Sequence, residues 1–364
     1  MRVKSLKLKN FRNYDLLHLD FDDSTNIFYG NNAQGKTNIL EAVYLSGTTK
    51  SHRGTKDRDL IKFGEEESHI ESVIEKNQIE YQIDMHLKKN SPKGIAINKI
   101  PIRKASELFG IVNIVFFSPE DLNIIKDGPS ERRRFIDLEL SQLDKIYLSN
   151  LSNYNRIINQ RNRLLKDIRN PETQDNLLQT LDIWELQLVE YGNKIINRRN
   201  KFIEEINKII SPIHKKLTGG KEEIKLIYEP SNGNISLEQA LEKNREKDFR
   251  IKSTSVGPHR DDICFMVGDL DIRRFGSQGQ QRTAALSLKL SEIELVKRTI
   301  HDTPILLLDD VLSELDKYRQ NYLLDSIHDI QTLITCTGVD EFVNHRFSIN
   351  KVFHVQNGRV AKEN

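Results

Sequence analysis

The stretch Gly30–Thr37 constrains the fold of this chain more than any other part of the sequence, because it fits the pattern G-x-x-x-x-G-K-[ST]. In this pattern the glycines allow a tight turn whose N–H groups converge on phosphate oxygens. The lysine reaches the β- and γ-phosphates, and the hydroxyl ligates Mg²⁺. Residues 25–29 have the pattern of a strand, and residues 37–45 that of a helix whose positive N-terminus favours an anion.

An accidental glycine-rich turn is the alternative, but the flanking strand and helix favour a nucleotide site. The stretch is called the phosphate loop below. The predicted nucleotide ligands of this segment are Gly30, Asn31, Asn32, Ala33, Gln34, Gly35, Lys36, Thr37 and Asn38.

Composition excludes several classes of protein. The chain has 364 residues, enough for a large core and a second lobe, and its net charge of +2 does not by itself predict nucleic-acid binding. Its two cysteines, Cys264 and Cys336, lie far apart, so neither a disulfide framework nor a zinc site is expected. No apolar run approaches the length of a membrane span, and the first residues lack a signal peptide. We therefore expect a cytoplasmic protein.

Periodicity divides the chain into three parts. Residues 1–119 have mostly strand patterns, and strand patterns return after residue 255, where Asn357-Gly358 predicts a hairpin. Between them, apolar residues at helical spacing predict one long helix over 131–168 and a second over 181–213 that stops near Ser211-Pro212 and Gly219-Gly220. We expect these two helices to form an antiparallel hairpin. The predicted architecture is an α/β head of residues 1–119 and 256–364, with mixed β-sheets around the phosphate-loop helix, and an inserted, mainly helical lobe of residues 120–255.

A fully apolar strand, residues 305–308, ends in Asp309-Asp310. In nucleotide-hydrolysing sheets an acid in this place holds Mg²⁺, so Asp309 joins Thr37 as a predicted metal ligand. Asp310 would orient the attacking water or accept its proton, which makes Asp310 and Lys36 the predicted catalytic residues. A buried strand ending in a solvated turn is the alternative, and the upstream phosphate loop favours the metal site.

A second anion site is predicted at Ser277-Gln278-Gly279-Gln280, which opens a helix shortly before the Asp309 strand. The order of phosphate loop, long insert, this turn, acidic strand and Ser313–Asp316 resembles the ABC-type ATPase heads of the SMC-like DNA-repair proteins. Further segments resemble that family in the same order; they are Asn10–Tyr14, Phe117–Leu122, Gly128–Phe135 and Gly257–Asp262.

The resemblance implies that two subunits sandwich two ATP molecules. The segment Ser277-Gln278-Gly279-Gln280 is called the signature turn below. Its residues Ser277, Gly279 and Gln280 would then contact the γ-phosphate bound to the other subunit. Asp316 would couple the two sites, and Arg12 would reach nucleotide phosphates. The chain departs from the family where Asp310 replaces a glutamate and where Thr335-Cys336-Thr337 replaces a histidine. These departures imply slow hydrolysis, with Thr335 or Thr337 as a γ-phosphate contact.

The resemblance also implies function. It predicts a weak, DNA-stimulated ATPase whose ATP-bound homodimer clamps double-stranded or gapped DNA, with ATP and Mg²⁺ as cofactors. RecR would be a partner, and through RecR the protein would promote the loading of RecA onto gapped single strands. The predicted DNA contacts are basic residues near helix starts or off the apolar stripes, with a solvated surface as the alternative; they are Arg132, Arg133, Arg134, Arg161 and Arg163.

Two other classes share the phosphate loop. The first is a transporter-type or metabolic ATPase. A transporter subunit should carry a full L-S-G-G-Q motif and have a membrane partner, whereas a metabolic kinase would not need the signature turn. A structural DNA-binding module with a dead nucleotide site is the other alternative. The intact Lys36, Thr37, Asp309 and Asp310 argue against that module.

Overall fold

The computed structural model describes residues 1–168, 175–338 and 350–363. Contacts within the chain define two compact units, Met1–Asp121 with Leu288–Asn364, and Leu122–Ser287. The first boundary is close to the predicted one. Residues 256–287, predicted as part of the head, group with the inserted unit instead.

The first unit contains an antiparallel sheet of six strands in the order β2-β1-β4-β5-β6-β7. Along these strands, buried residues alternate with more exposed ones. In β4, for example, the buried residues are Ser68, Ile70, Ser72 and Ile74. The strands are β1 (Arg2–Phe11), β2 (Tyr14–Asp20), β4 (Glu67–Lys76), β5 (Ile79–Lys88), β6 (Ser91–Ile97) and β7 (Ile100–Pro101).

A second six-stranded sheet of the same unit carries the phosphate loop. Its order is β15-β14-β3-β13-β12-β8, and all neighbours are parallel except β15, which pairs antiparallel with β14. The strands are β3 (Thr25–Tyr29), β8 (Ile114–Phe117), β12 (Ile305–Asp309), β13 (Thr332–Cys336), β14 (Lys351–Gln356) and β15 (Arg359–Glu363).

Helix α1 (Lys36–Thr48) packs against β8, β12 and β13 of this sheet, and α9 (Lys317–Ser326) lies between β12 and β13 in the chain. Every residue of β13 is buried, as expected for a parallel strand covered on both faces. Because β3 and β12 run parallel, their carboxyl ends meet at one edge, where ligands bind in open α/β sheets. The predicted α/β fold, with mixed sheets around the phosphate-loop helix, is confirmed.

The second unit is mainly helical. Its helices are α2 (Leu122–Lys126), α3 (Pro129–Leu143), α4 (Lys145–Asp167), α5 (Asp175–Leu217), α6 (Leu237–Ile251) and α7 (Ile272–Phe275). A small antiparallel sheet joins them in the order β11-β10-β9, from β9 (Ile224–Glu229), β10 (Asp262–Val267) and β11 (Leu270–Asp271). Helices α4 and α5 pack together, and Leu165, Ile168 and Leu181 form one buried cluster between them. Helix α8 (Gln278–Ile300) begins in this unit and ends in the first.

The prediction of one helix over 131–168 is wrong, because the helix is interrupted at Asp144. This residue is extended (φ −139°, ψ 101°), and its carboxylate accepts hydrogen bonds from the N–H groups of Ile146 and Tyr147. Such an N-cap satisfies N–H groups that lack a partner within the helix. The apolar spacing continues across the break, so periodicity alone did not reveal it.

The second helix, predicted to stop near Ser211-Pro212 and Gly219-Gly220, is α5; it continues through Pro212 and ends at Leu217, shortly before Gly219. Proline removes one helical hydrogen bond. Ile209 and Ile210 before it and His214 and Leu217 after it are all buried. Packing on both sides of Pro212 thus keeps the helix intact. Among the helices of the described ranges, none is long and apolar enough to cross a membrane.

Replacing Asp144 by alanine should destabilise the second unit by about 1 kcal/mol, because the N-cap of α4 is lost. Asp144→Asn should retain most of the stability, since asparagine caps equally well. Urea denaturation of both variants measures the difference. If both variants lose the same stability, the ion pair of Asp144 with Arg198 (3.1 Å) matters and the cap does not.

Candidate nucleotide-binding site

One carboxylate oxygen joins the phosphate loop to the acidic strand. Oδ1 of Asp309 accepts a hydrogen bond from Thr37 Oγ1 at the start of α1 (2.7 Å) and one from Thr335 Oγ1 on β13 (2.7 Å). Burial raises the pKa of the Asp309 carboxyl, and the two hydroxyls oppose that shift because they stabilise the charged form. The structure therefore brings together Thr37 and Asp309, the two predicted metal ligands.

Thr335 does not have the role that the resemblance implied for it. Its side chain is buried, its hydroxyl is bonded to Asp309, and its oxygens accept from the N–H of Asp310 (3.0 and 3.3 Å). A buried hydroxyl committed to Asp309 is not presented to a phosphate. Thr335 instead orients the acidic pair, and Thr337, which is exposed, stays a prediction.

A cavity of about 270 Å³ lies over the phosphate loop. Its wall consists of Asn32, Ala33, Gln34, Gly35, Lys36, Thr37, Asn38, Arg53 and Asp310. Lys36 Nζ donates to the carbonyl oxygens of Gly30 (2.6 Å) and Asn31 (3.1 Å). Nearly the whole wall was predicted, and the catalytic candidates Lys36 and Asp310 share it.

Arg53 is the wall residue that sequence reasoning missed. It is exposed, and its positive charge opposes the rise that burial causes in the pKa of Asp309. The cavity thus carries two cations, Lys36 and Arg53, which suits a polyphosphate. The stretch Ser51-His52-Arg53 matches no general motif, so only the fold could reveal its position.

The hairpin β14–β15 and the β1–β2 turn hold the tip of the phosphate loop. Gln34 Oε1 accepts from the N–H of Asn357 (2.6 Å), and the Gln34 carbonyl accepts from Asn13 Nδ2 (2.9 Å) and the N–H of Gly358 (3.3 Å). Gly30 has φ +147°, and a Cβ there would lie 2.3 Å from the Val355 carbonyl oxygen. Asn357-Gly358 did form the predicted hairpin, but no sequence pattern indicated that it contacts the loop.

Arg12 lies against a glutamate and is absent from the wall residues of the cavity. Its Nε and Nη2 donate to the two carboxylate oxygens of Glu41 (2.8 and 2.9 Å), and Nη1 donates to the Asp59 carbonyl (3.0 Å). Burial opposes ionisation of Glu41, but the bonds from Arg12 and Ser51 outweigh it and lower its pKa. The predicted phosphate contact of Arg12 stays a prediction.

The signature turn opens α8 as predicted. Ser277 Oγ accepts from the N–H of Gln280 (3.2 Å), and Gln280 Oε1 accepts from the N–H of Ser277 (3.0 Å). Gly279 is exposed, and a Cβ there would lie 3.9 Å from Ser277 Oγ. Asp316 caps α9 by accepting from the N–H of Arg319, which lowers its pKa. Contacts of these residues with a second subunit stay predictions.

Two of the predicted DNA contacts are corrected. Arg161 is fully buried and pairs with Asp248 (2.7 Å) and Glu185 (2.7 Å). Arg132 is also buried, and it pairs with Asp262 and donates to the Asp127 carbonyl (2.6 Å). Buried guanidinium groups that are paired within the protein cannot reach a DNA phosphate.

The other three predicted DNA contacts differ among themselves. Arg133 is partly buried and donates to the Asp261 carbonyl (2.7 Å), which makes a DNA contact less favourable. Arg134 and Arg163 are exposed on α3 and α4. The DNA contacts of all three arginines stay predictions.

The loop before β10 contains a partly buried histidine. His259 Nε2 lies 3.1 Å from the Thr254 carbonyl, and Nδ1 lies 2.8 Å from the Tyr154 hydroxyl. Burial lowers the pKa of His259 to about 4. The ring therefore acts as a neutral connector between α4 and the loop at Gly257–Asp262.

The fold and the paired motifs are those of an ABC-type ATPase head. The family described as "RecF/RecN/SMC N terminal domain" matches residues 2–361. "DNA replication and repair protein RecF" of Agathobacter rectalis is 64% identical over 360 residues, covering 99% of each chain. The protein of the same name from Lachnospira eligens is 63% identical over 365 residues, covering 100% of each chain.

Solved structures agree with these sequence relationships. "Structure of the recombination mediator protein RecF-ATP in RecFOR pathway" superposes with a TM-score of 0.92 at 36% identity, covering 100% of this chain and 97% of that one. An Smc head domain from Pyrococcus furiosus gives a TM-score of 0.58 at 17% identity, covering 99% of this chain and 96% of that one, and shares the fold alone. The chain belongs to the RecF family of DNA replication and repair proteins, within the RecF/RecN/SMC ATPases.

Gly30→Ala should destabilise the first unit by roughly 3 kcal/mol, because the new Cβ meets the Val355 carbonyl at an unfavourable φ. Gly64→Ala is the matched control. Gly64 also has a positive φ (+92°) but has open space around its Cβ position. Thermal unfolding measures both, and equal losses would show that the hairpin does not restrict the loop.

Stability should fall as pH is lowered from 6.5 to about 4, because the unfolded chain protonates His259 in this window and the folded chain does not. The contribution of this residue is up to about 3 kcal/mol. Urea titrations of wild type and His259→Gln at several pH values test this, and their difference removes the carboxylate background. An unchanged slope in His259→Gln would contradict the assignment.

Proposed function

We propose that this protein is an ATP-dependent DNA-binding ATPase of DNA repair and replication that acts as a recombination mediator. The hydrogen bond from Thr37 to Asp309 carries the proposal, because it joins the phosphate loop to the acidic strand at one cavity. A phosphate loop alone would fit many classes of protein. The signature turn and the membership in the RecF family support this class over the others.

In this proposal ATP binds with its phosphates over α1. Lys36 would exchange its bonds to the Gly30 and Asn31 carbonyls for bonds to phosphate oxygens, which are stronger because both partners are charged. Arg53 would supply a second positive charge at the same cavity. The related solved protein is described as RecF-ATP, which supports this nucleotide.

The residues present fit Mg²⁺. Thr37 and Asp309 offer a hydroxyl and a carboxylate oxygen 2.7 Å apart, and Mg²⁺ prefers oxygen ligands. Within the described ranges no group of three or more His, Cys, Asp or Glu residues could hold a metal, so Mg²⁺ would also depend on the phosphates. When bound, the ion would neutralise charge on the β- and γ-phosphates.

Asp310 would orient the attacking water or accept its proton. Its backbone is left-handed (φ +52°), and Thr335 holds its N–H. Because aspartate is one methylene shorter than glutamate, Asp310 would reach less far toward the γ-phosphate, which is consistent with slow hydrolysis. Slow hydrolysis would suit a clamp that must stay closed on DNA before it is reset.

The clamp itself would be a homodimer that closes when ATP binds. Ser277 and Gly279 of each subunit would contact the γ-phosphate held by the other, and their exposure leaves them accessible. The closed dimer would bind double-stranded or gapped DNA, which stimulates hydrolysis. With RecR it would promote loading of RecA, a role supported by the description of the related solved protein as a recombination mediator in the RecFOR pathway. Arg134 and Arg163 are the remaining candidates for DNA contacts.

Lys36→Ala should abolish ATP-induced dimerisation, because the lysine supplies charge directly to the triphosphate. Sedimentation velocity with saturating ATP and Mg²⁺ measures this. Lys50→Ala, an exposed lysine outside the cavity wall, is the matched control and should dimerise like wild type. A wild-type protein that stays monomeric under these conditions would refute the sandwich dimer.

A further inference from the structure

The signature turn is held by hydrogen bonds within the second unit. Ser277 and Gln280 cap the first turn of α8 reciprocally. Gln280 has one polar group left after this, its Nε2, and that group donates to Glu222 Oε1 (2.9 Å). Glu222 precedes β9 and lies 58 residues earlier in the chain. The orientation of the turn therefore involves a residue outside it.

Glu222 determines which way the Gln280 amide faces. A carboxylate can only accept hydrogen bonds, so it attracts the NH₂ group of the amide. The amide oxygen is then directed to the N–H of Ser277. An apolar residue at position 222 would leave the amide free to rotate, and the cap of α8 would lose its fixed geometry.

His214, in the last turn of α5, lies beside Glu222. It is fully buried, with Nε2 3.4 Å from Glu222 Oε2 and Nδ1 2.9 Å from Ser287 Oγ. Because the Ser287 hydroxyl donates to the Thr283 carbonyl (2.7 Å), it accepts from His214, and Nδ1 is therefore a donor.

Two hydrogen bonds continue these contacts along α8. The Ser287 hydroxyl donates to the Thr283 carbonyl, and the Thr283 hydroxyl donates to the carbonyl of Gly279 (2.8 Å), the residue next to Gln280. The contacts of Gln280, Glu222, His214, Ser287, Thr283 and Gly279 thus connect the last turn of α5 with the first turns of α8.

The backbone at Glu222 is also held in place. Its N–H donates to Thr218 Oγ1 (3.3 Å), and the Thr218 hydroxyl donates to the His214 carbonyl (2.9 Å). The chain turns at Gly219 and Gly220, both with positive φ. The end of the long helix α5 is thereby connected to the carboxylate that orients Gln280.

We propose that Glu222 is a positioning residue for the signature turn and links the end of α5 to the nucleotide contact between subunits. The inference rests on the proposed sandwich dimer for its functional part. Glu222 acts through Gln280 and need not touch ATP. Its effect is to keep Ser277 and Gly279 in one arrangement before a second subunit arrives, so that dimerisation does not have to order the turn.

Hydrogen exchange without nucleotide tests the positioning directly. In Glu222→Met the amides of Ser277 and Gln280 should exchange at least about tenfold faster, because the Gln280 amide is no longer oriented. Glu223→Met, which changes the neighbouring exposed carboxylate, is the matched control and should leave these amides unchanged. Unchanged exchange in Glu222→Met would overturn the inference, whatever the protein does with ATP.

A charge exchange tests the functional part. Gln280→Glu keeps a residue that can cap α8 but faces Glu222 with a second carboxylate, so ATP-induced dimerisation should weaken roughly tenfold. Adding Glu222→Gln should restore dimerisation to within about twofold, since the donor and acceptor are only exchanged. Absence of this rescue while wild type dimerises overturns the coupling between the two residues. A wild type that does not dimerise refutes the proposed function, and the exchange measurement then decides the positioning alone.

Discussion

The structure of the candidate site depends on a single oxygen atom, Oδ1 of Asp309. Two hydroxyl groups donate to it, one from the first turn of α1 and one from β13. This arrangement requires that β3, β13 and β12 be consecutive and parallel, because only then do the phosphate loop, Thr335 and Asp309 meet at one edge. The hydroxyls also offset the burial of the carboxylate, which would otherwise favour its neutral form. This junction places Thr37 and Asp310, two residues of the cavity wall, beside each other.

The second unit contains buried arginines that are paired within the protein. Arg132, Arg161 and Arg199 are buried, and each guanidinium is bonded to carboxylates or backbone carbonyls. Removing one partner of such a pair leaves an uncompensated buried charge, which is strongly destabilising. Planar guanidinium groups with several donors suit this role, because one side chain can join three or more segments. The long helices are therefore connected to the loop at Gly257–Asp262 by polar contacts as well as by apolar packing.

The sequence predicted the features that depend on local backbone geometry and missed those that depend on contacts between distant residues. The phosphate loop, the acidic strand and the signature turn depend on local backbone geometry, so their chemistry is visible in short motifs. The break at Asp144 was missed because the apolar residues stay in phase across it. Arg161 looked like a surface residue because its partners Glu185 and Asp248 lie 24 and 87 residues away, and no pattern in a single helix reveals pairing over such distances. Arg53 and the contact of the hairpin with Gln34 likewise depend on tertiary structure alone.

The order of strands around the phosphate loop has a consequence for the synthesis of the chain. Strand β3 leaves the ribosome early, but its two neighbours are β13 and β14, which begin at residues 332 and 351. Until they emerge, β3 has two unpaired edges, a state that invites pairing with other chains. The loop after β3 also lacks the carbonyl of Val355 and the turn at Asn357 that restrict it. A nascent chain therefore carries the whole phosphate-loop motif long before the strands and the turn that hold this loop have been synthesised.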